Sequence, residues 1–390
     1  MYTARTIKQV LLASIQQYPV VTVTGPRQAG KTTLLRNEFP NAQYVNLEGL
    51  RERQFADADP IGFLNQFSQD RVVIIDEVQQ VPLLLSEIQV RVDAQKKNGL
   101  FILSGSQNLT LNEAITQSLA GRTSLLRLLP FSLAEADSLF TPARRSIDEA
   151  LLQGGYPRIL VDRLNPTEAC SYYTQTYIER DVRALVKVHD LSLFQKFLML
   201  CAGRIGQLLN KESLARDVGV RPSTIEEWLS ILEATFIVFR LQPWHRNIGK
   251  RLIKSPKLYF YDTAIVCYLL GIETAQQLSR HPLRGEIFEN MQVLEVLKHY
   301  FHAGRQPRFY FYRDSQDYEV DIVIEREGRW LPIEIKSSAT FNTSFMRGIE
   351  RFQKVIGDEC DKPCVVLGDD HGQLRTNFNI LPWFDIASVL

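Results

Sequence analysis

The feature that most constrains this chain is a short glycine-bounded segment, Gly25-Pro-Arg-Gln-Ala-Gly30-Lys31-Thr32, set between the β-branched run VVTVT and the helical run TTLLRNEF. A strand that turns through such a loop into a helix leaves backbone N–H groups unpaired at the helix start, where they can hold an anion. The pattern G-x-x-x-x-G-K-[ST] in a strand-to-helix setting therefore reads as a polyphosphate cradle. Its residues are Gly25, Pro26, Arg27, Gln28, Ala29, Gly30, Lys31, Thr32 and Thr33. In this reading Lys31 reaches the β- and γ-phosphates of ATP, and the Thr32 hydroxyl binds Mg2+.

Around the loop, residues 19–140 alternate short apolar runs with helical patterns: PVVTVTG, YVNLEG, VVIIDE, LFILSGS and SLLRLLP. Runs that are apolar throughout predict parallel strands covered on both faces. The run Val72–Ile75 carries Asp76 and Glu77 to the carboxyl end of such a strand. There Asp76 is expected to anchor Mg2+ and Glu77 to polarise an attacking water, which favours hydrolysis over transfer to another acceptor. Ser104 and Ser106, at the end of FILSGSQ, are both candidates for sensing the γ-phosphate.

At 390 residues the chain is too long for one core. We divide it into an ATPase core at 1–140, a helical and winged-helix region at 141–275 and a third domain at 276–390. With 45 Lys and Arg against 44 Asp and Glu, no global field draws in nucleic acid, so any polyanion surface must be local. Five cysteines without paired CxxC spacing predict reduced thiols and no zinc. Ile7, Val10, Leu11 and Ile15 have helical spacing, unlike a signal peptide, and no run is long enough for a membrane span, so a soluble cytoplasmic protein is expected.

Residues Lys211 to Leu232 have helix-turn-helix spacing about Gly219, and 236–261 read as a strand pair that would make the unit winged. Beside it stand His245, Arg246, Lys250, Arg251, Lys254 and Lys257, a cationic run that suits a DNA backbone as well as it suits a solvated face.

The segments GPRQAGKTTLL (25–35), IIDEVQQVP (74–82), LSGSQ (103–107), LAGR (119–122), GGYP (154–157), YIERDV (177–182), KLYFYDTA (257–264), GEIFEN (285–290), EVDIVI (319–324) and IEIK (333–336) resemble a family of bacterial and archaeal AAA+ ATPases. Their C-terminal half is a domain of unknown function. The resemblance implies an α/β fold with a P-loop AAA+ core, ATP and Mg2+ as cofactors, and the roles already read for Lys31, Thr32, Asp76 and Glu77. Arg122, after LAG, stands where many such proteins hold an arginine finger aimed at a neighbour's nucleotide. That would require a ring-like homo-oligomer, a hexamer being one size. Arg158 and Arg180 are candidates for a second sensor.

In the third part, Glu319 and Asp321 share one strand face, as do Glu334 and Lys336. With Glu289 on the preceding helix they resemble a PD-(D/E)xK, restriction-endonuclease-like core. That likeness implies Mg2+ held by Glu289, Asp321 and Glu334, with Lys336 placing the attacking water. The same pairs also occur on ordinary amphipathic strands. The expected function is an ATPase acting on DNA by binding, remodelling or translocation, with Mg2+-dependent cleavage open. A regulatory switch with an inactive C-terminal module is the alternative.

Overall fold

Apolar runs bounded by turns become the strands of a five-stranded sheet. They are β1 Val20–Gly25, β2 Gln43–Asn46, β3 Val73–Asp76, β4 Phe101–Ser106 and β5 Thr123–Arg127. The structure, a computed structural model, describes residues 2–68, 70–106, 118–140, 144–177, 191–246 and 255–390. All five strands run parallel in the order β2-β3-β4-β1-β5. Successive side chains point to opposite faces, and both faces are packed: Val20, Ile75 and Leu103 on one, Val21, Ile74 and Ile102 on the other. Because β1 lies between β4 and β5, chain crossovers open a crevice at the carboxyl ends of the strands, where ligands of open α/β sheets bind. Each fully buried aliphatic contributes about 1.5–3 kcal/mol, enough for this sheet to carry strained backbone at its carboxyl edge.

The chain forms two compact units. One comprises residues 1–131, 234–236 and 300–306, and the other comprises 132–233, 237–299 and 307–390. The second unit thus holds both the expected helical middle and the expected third domain.

Helices Lys211–Val218 and Pro222–Ala234 follow each other across Gly219. The Asn210 side chain caps the first by accepting from Ser213 N at 2.9 Å. Trp228 packs against Phe194 and Phe197, with ring centroids 5.2 and 5.3 Å away. Strands β6 Val238–Leu241 and β7 Lys257–Phe260 pair antiparallel after the helices.

The second sheet contains β8 Phe309–Arg313, β9 Glu319–Arg326, β10 Arg329–Lys336, β11 Cys364–Leu367, β12 Gln373–Leu374 and β13 Asn379–Pro382. Its order is β12-β13-β11-β10-β9-β8. The β9–β10 register ends at Ile322 opposite Ile333, so Asp321 and Glu334 come one step beyond, at the same end of the two strands. Helix Arg284–His302 precedes this sheet and supplies Glu289. All five cysteines are free thiols. Among the described residues no helix is long and apolar enough to cross a membrane.

Candidate functional site

The loop at the end of β1 can form only with glycine at both ends. A Cβ on Gly25 would lie 2.0 Å from Leu128 O, and Gly30 adopts φ 91° as it starts helix Lys31–Glu38. No side chain caps this helix, which leaves its first-turn N–H groups for a ligand. Lys31 is 6% exposed, and its ammonium donates to Gly25 O at 2.9 Å and Pro26 O at 2.8 Å. Burial pulls its pKa down to about 8; Glu77 and Asp76 oppose the fall, and Arg27 adds to it. Gln28 is exposed and held at φ 61°, Arg27 lies 3.9 Å from Glu48, and Thr33 is exposed.

Asp76 is the hub of the site. One carboxylate oxygen accepts Thr32 Oγ1 at 2.6 Å and the Tyr44 hydroxyl at 3.0 Å; the other accepts Ser104 Oγ. Burial and the neighbouring Asp76 push the Tyr44 hydroxyl pKa up, so it remains a donor. Glu77 follows in the left-handed region, at φ 55° and ψ 44°. Its carboxylate accepts Gln79 Nε2, which also donates to Ser106 Oγ at 3.2 Å. The two serines therefore divide between the acids: Ser104 orients Asp76, and Ser106 joins Glu77 through Gln79.

Arg122 lies at the other edge of the sheet. Its carbonyl accepts Val20 N at 3.2 Å at the start of β1, whereas the loop leaves from the end of that strand. The six residues of β1 separate the two by about 17–20 Å. Arg122 is clamped by both oxygens of Asp93 at 2.6 and 2.8 Å, so it cannot serve the nucleotide of its own chain. Arg158 is exposed and 3.7 Å from Asp162. Arg180, Gln107, Lys250, Arg251 and Lys254 lie outside the described residues.

The acids of the second sheet are gathered around lysines. Lys336 is 2.6 Å from Glu334 Oε1 and 3.7 Å from Asp321 Oδ2, and Asp321 also accepts Ile335 N at 2.7 Å. Lys257, grouped with the cationic run on sequence alone, is only 3% exposed. Its position at the start of β7 sends the ammonium inward, 2.9 Å from Glu289 and 2.5 Å from Glu319. Tyr259 donates to the same Glu289 oxygen at 2.5 Å.

Burial drives the Glu289 pKa up to about 7, with Asp321 adding to the rise and Lys257 opposing it. Burial and Asp321 likewise raise Glu334 well above the usual range. Burial disfavours the Lys257 ammonium, but Tyr259, Glu289, Asp321 and Glu319 more than offset it, and its pKa is raised. Among the described residues no three His, Cys, Asp or Glu side chains are spaced to hold a metal ion.

Side-chain bonds also join segments that stand apart in the sequence. Asp262 accepts Gly155 N at 2.8 Å, and Asn290 pairs with both Phe260 N and Phe260 O, at 2.7 and 3.0 Å. Tyr44 carries no sequence signal as a site residue because it meets Asp76 only through strand pairing, and Gln79, although two residues from Glu77, reaches Ser106 only through the fold.

A family model described as an AAA domain matches residues 17–136, and two described as domains of unknown function (DUF8612 and DUF4143) match 144–276 and 284–386. The uncharacterized protein Rv2008c of Mycobacterium tuberculosis is 34% identical over 335 residues, 85% of this chain and 73% of its own length. The uncharacterized protein Mb2031c of Mycobacterium bovis matches equally. Among solved structures, the Walker-type ATPase PABY2304 of Pyrococcus abyssi is similar at 16% identity and a TM-score of 0.48, over 69% of this chain and 96% of that one. The chain belongs to one family with the two mycobacterial proteins, and it is an AAA+ ATPase whose AAA domain is followed by two domains of unknown function.

Proposed function

We propose that this protein is an Mg2+-dependent ATPase that uses ATP hydrolysis to act on DNA, with residues 1–140, 141–275 and 276–390 as its functional parts. The observation that carries the ATPase chemistry is the contact of Thr32, Asp76 and Ser104 beneath a buried Lys31. Thr32 and Asp76 offer adjacent hard oxygen donors, which fits Mg2+. Held by Thr32 and Asp76, the ion would supply positive charge that neutralises the phosphates.

The chain's own residues do the rest. The loop from Gly25 to Thr33 wraps the phosphates, and Lys31 meets the growing negative charge. Glu77, steadied by Gln79, orients a water and accepts its proton, while Ser104 and Ser106 hold the two acids in register.

Arg122 supports a role in trans, because it lies at the sheet edge away from its own loop. Arg122→Ala is expected to lower turnover about 10³-fold with nucleotide affinity nearly unchanged. Mixing it with Glu77→Gln should restore part of the rate, since some mixed interfaces then carry both a finger and a base. Undiminished ATPase in Arg122→Ala, or a working monomer, would remove the finger.

DNA action rests on the helix pair 211–234, the strand pair beside it, and the cationic run without the inward-facing Lys257. The test is ATPase rate and DNA binding with single-stranded, duplex and branched DNA at two salt concentrations. A DNA motor should gain rate with DNA, and its affinity should fall steeply with salt. The switch reading is favoured by the C-terminal acids, whose partners are the protein's own Lys257 and Lys336. No DNA stimulation and no nicking with Mg2+ or Mn2+ would decide for the switch. Metal-dependent nicking that disappears in Lys336→Ala would establish a nuclease.

A further inference from the structure

Behind the phosphate loop stands a residue that no motif contains. Arg5 precedes the first helix and is 4% exposed. Its guanidinium donates from Nη1 to Ala29 O at 2.8 Å and from Nη2 to Leu129 O at 2.6 Å, and lies 4.8 Å from the centroid of the Phe131 ring.

These two carbonyls control both ends of the loop. Ala29 is the residue before Gly30, and a planar trans peptide directs its C=O and N–H in opposite directions. Drawing the Ala29 oxygen onto Arg5 therefore turns the Gly30 N–H away from Arg5. The second carbonyl follows Leu128, whose own oxygen forms the wall against Gly25. A forked guanidinium is suited to bind two acceptors at fixed separation, as an ammonium is not.

We propose that Arg5 is a positioning residue for the nucleotide phosphates, acting through the Ala29–Gly30 peptide and the Gly25 wall. The inference rests on the ATPase reading of the loop. By pre-setting the loop donors it lowers the cost of ordering them around the phosphates, so its loss weakens binding of ATP and ADP more than it slows the chemical step.

The test is steady-state ATPase of the full chain carrying Arg5→Gln or Arg5→Lys, with ADP as competitive inhibitor and thermal melts as a folding control. KM for ATP and Ki for ADP should rise together, about tenfold in Arg5→Gln and about threefold in Arg5→Lys, while kcat stays within about twofold. A tie that only supports the fold gives the opposite split: kcat drops with the folded fraction, and KM and Ki stay at wild-type values. That result would overturn the proposal. If Arg5→Gln does not fold, Arg5→Lys, which keeps the charge and one donor, decides alone by the same split. Wild type that turns over no ATP, like Lys31→Ala, would sink the ATPase reading and this inference with it.

Discussion

Lys31→Ala is expected to lower ATP turnover by about 10³-fold, because it removes the ammonium that Lys31 sets against the loop from inside. The same change should make the nucleotide-free protein more stable near neutral pH. Folding takes Lys31 from an ordinary pKa of 10.5 to about 8, so the folded state holds this proton less tightly than the unfolded chain. Its burial therefore costs stability below pH 8, on the order of 3 kcal/mol, and the cost disappears as pH rises to 10.5. Denaturant melts without nucleotide should show wild type gaining on Lys31→Ala across that window. ATP should reverse the order at pH 7, stabilising wild type alone. Equal turnover in the two proteins would remove Lys31 from the site.

Glu77→Gln is expected to keep ATP binding within about twofold while hydrolysis falls by about 10²–10³-fold. The amide preserves size and the hydrogen-bonding position beside Gln79, but it cannot take the proton of the attacking water. The backbone at Glu77 is held in the left-handed region, a strain of order 1 kcal/mol that serves to aim one side chain. The measurement is bound ATP after rapid filtration, set against phosphate release. Wild-type phosphate release from a folded Glu77→Gln protein would exclude Glu77 as the base.

Local pattern was enough to read the loop, the Asp76–Glu77 pair and all five parallel strands, because each depends on neighbours a few residues away. It also placed both helices of the 211–234 pair about Gly219. Contacts across long stretches of chain were not legible. Tyr44 reaches Asp76 only because β2 pairs with β3, and Arg5 finds Leu129 only because β1 and β5 are neighbours. Lys257 misled for the same reason: in a run of cations its sequence neighbours suggest solvent, whereas the pairing of β7 with β6 turns it inward.

The burial of Lys257 bears on how this half of the molecule can be taken apart. Its strand belongs to the segment matched at 144–276, but both of its acidic partners belong to the segment matched at 284–386. The ion pairs of Lys257 therefore cross from one segment to the other. Separated, one would lose the two carboxylates that hold the Lys257 ammonium, and the other the ammonium that holds Glu289, each loss costing several kcal/mol. The two segments are thereby bound to a common fate: they should melt in a single transition, and a substitution in either is felt as a change of charge balance in the other.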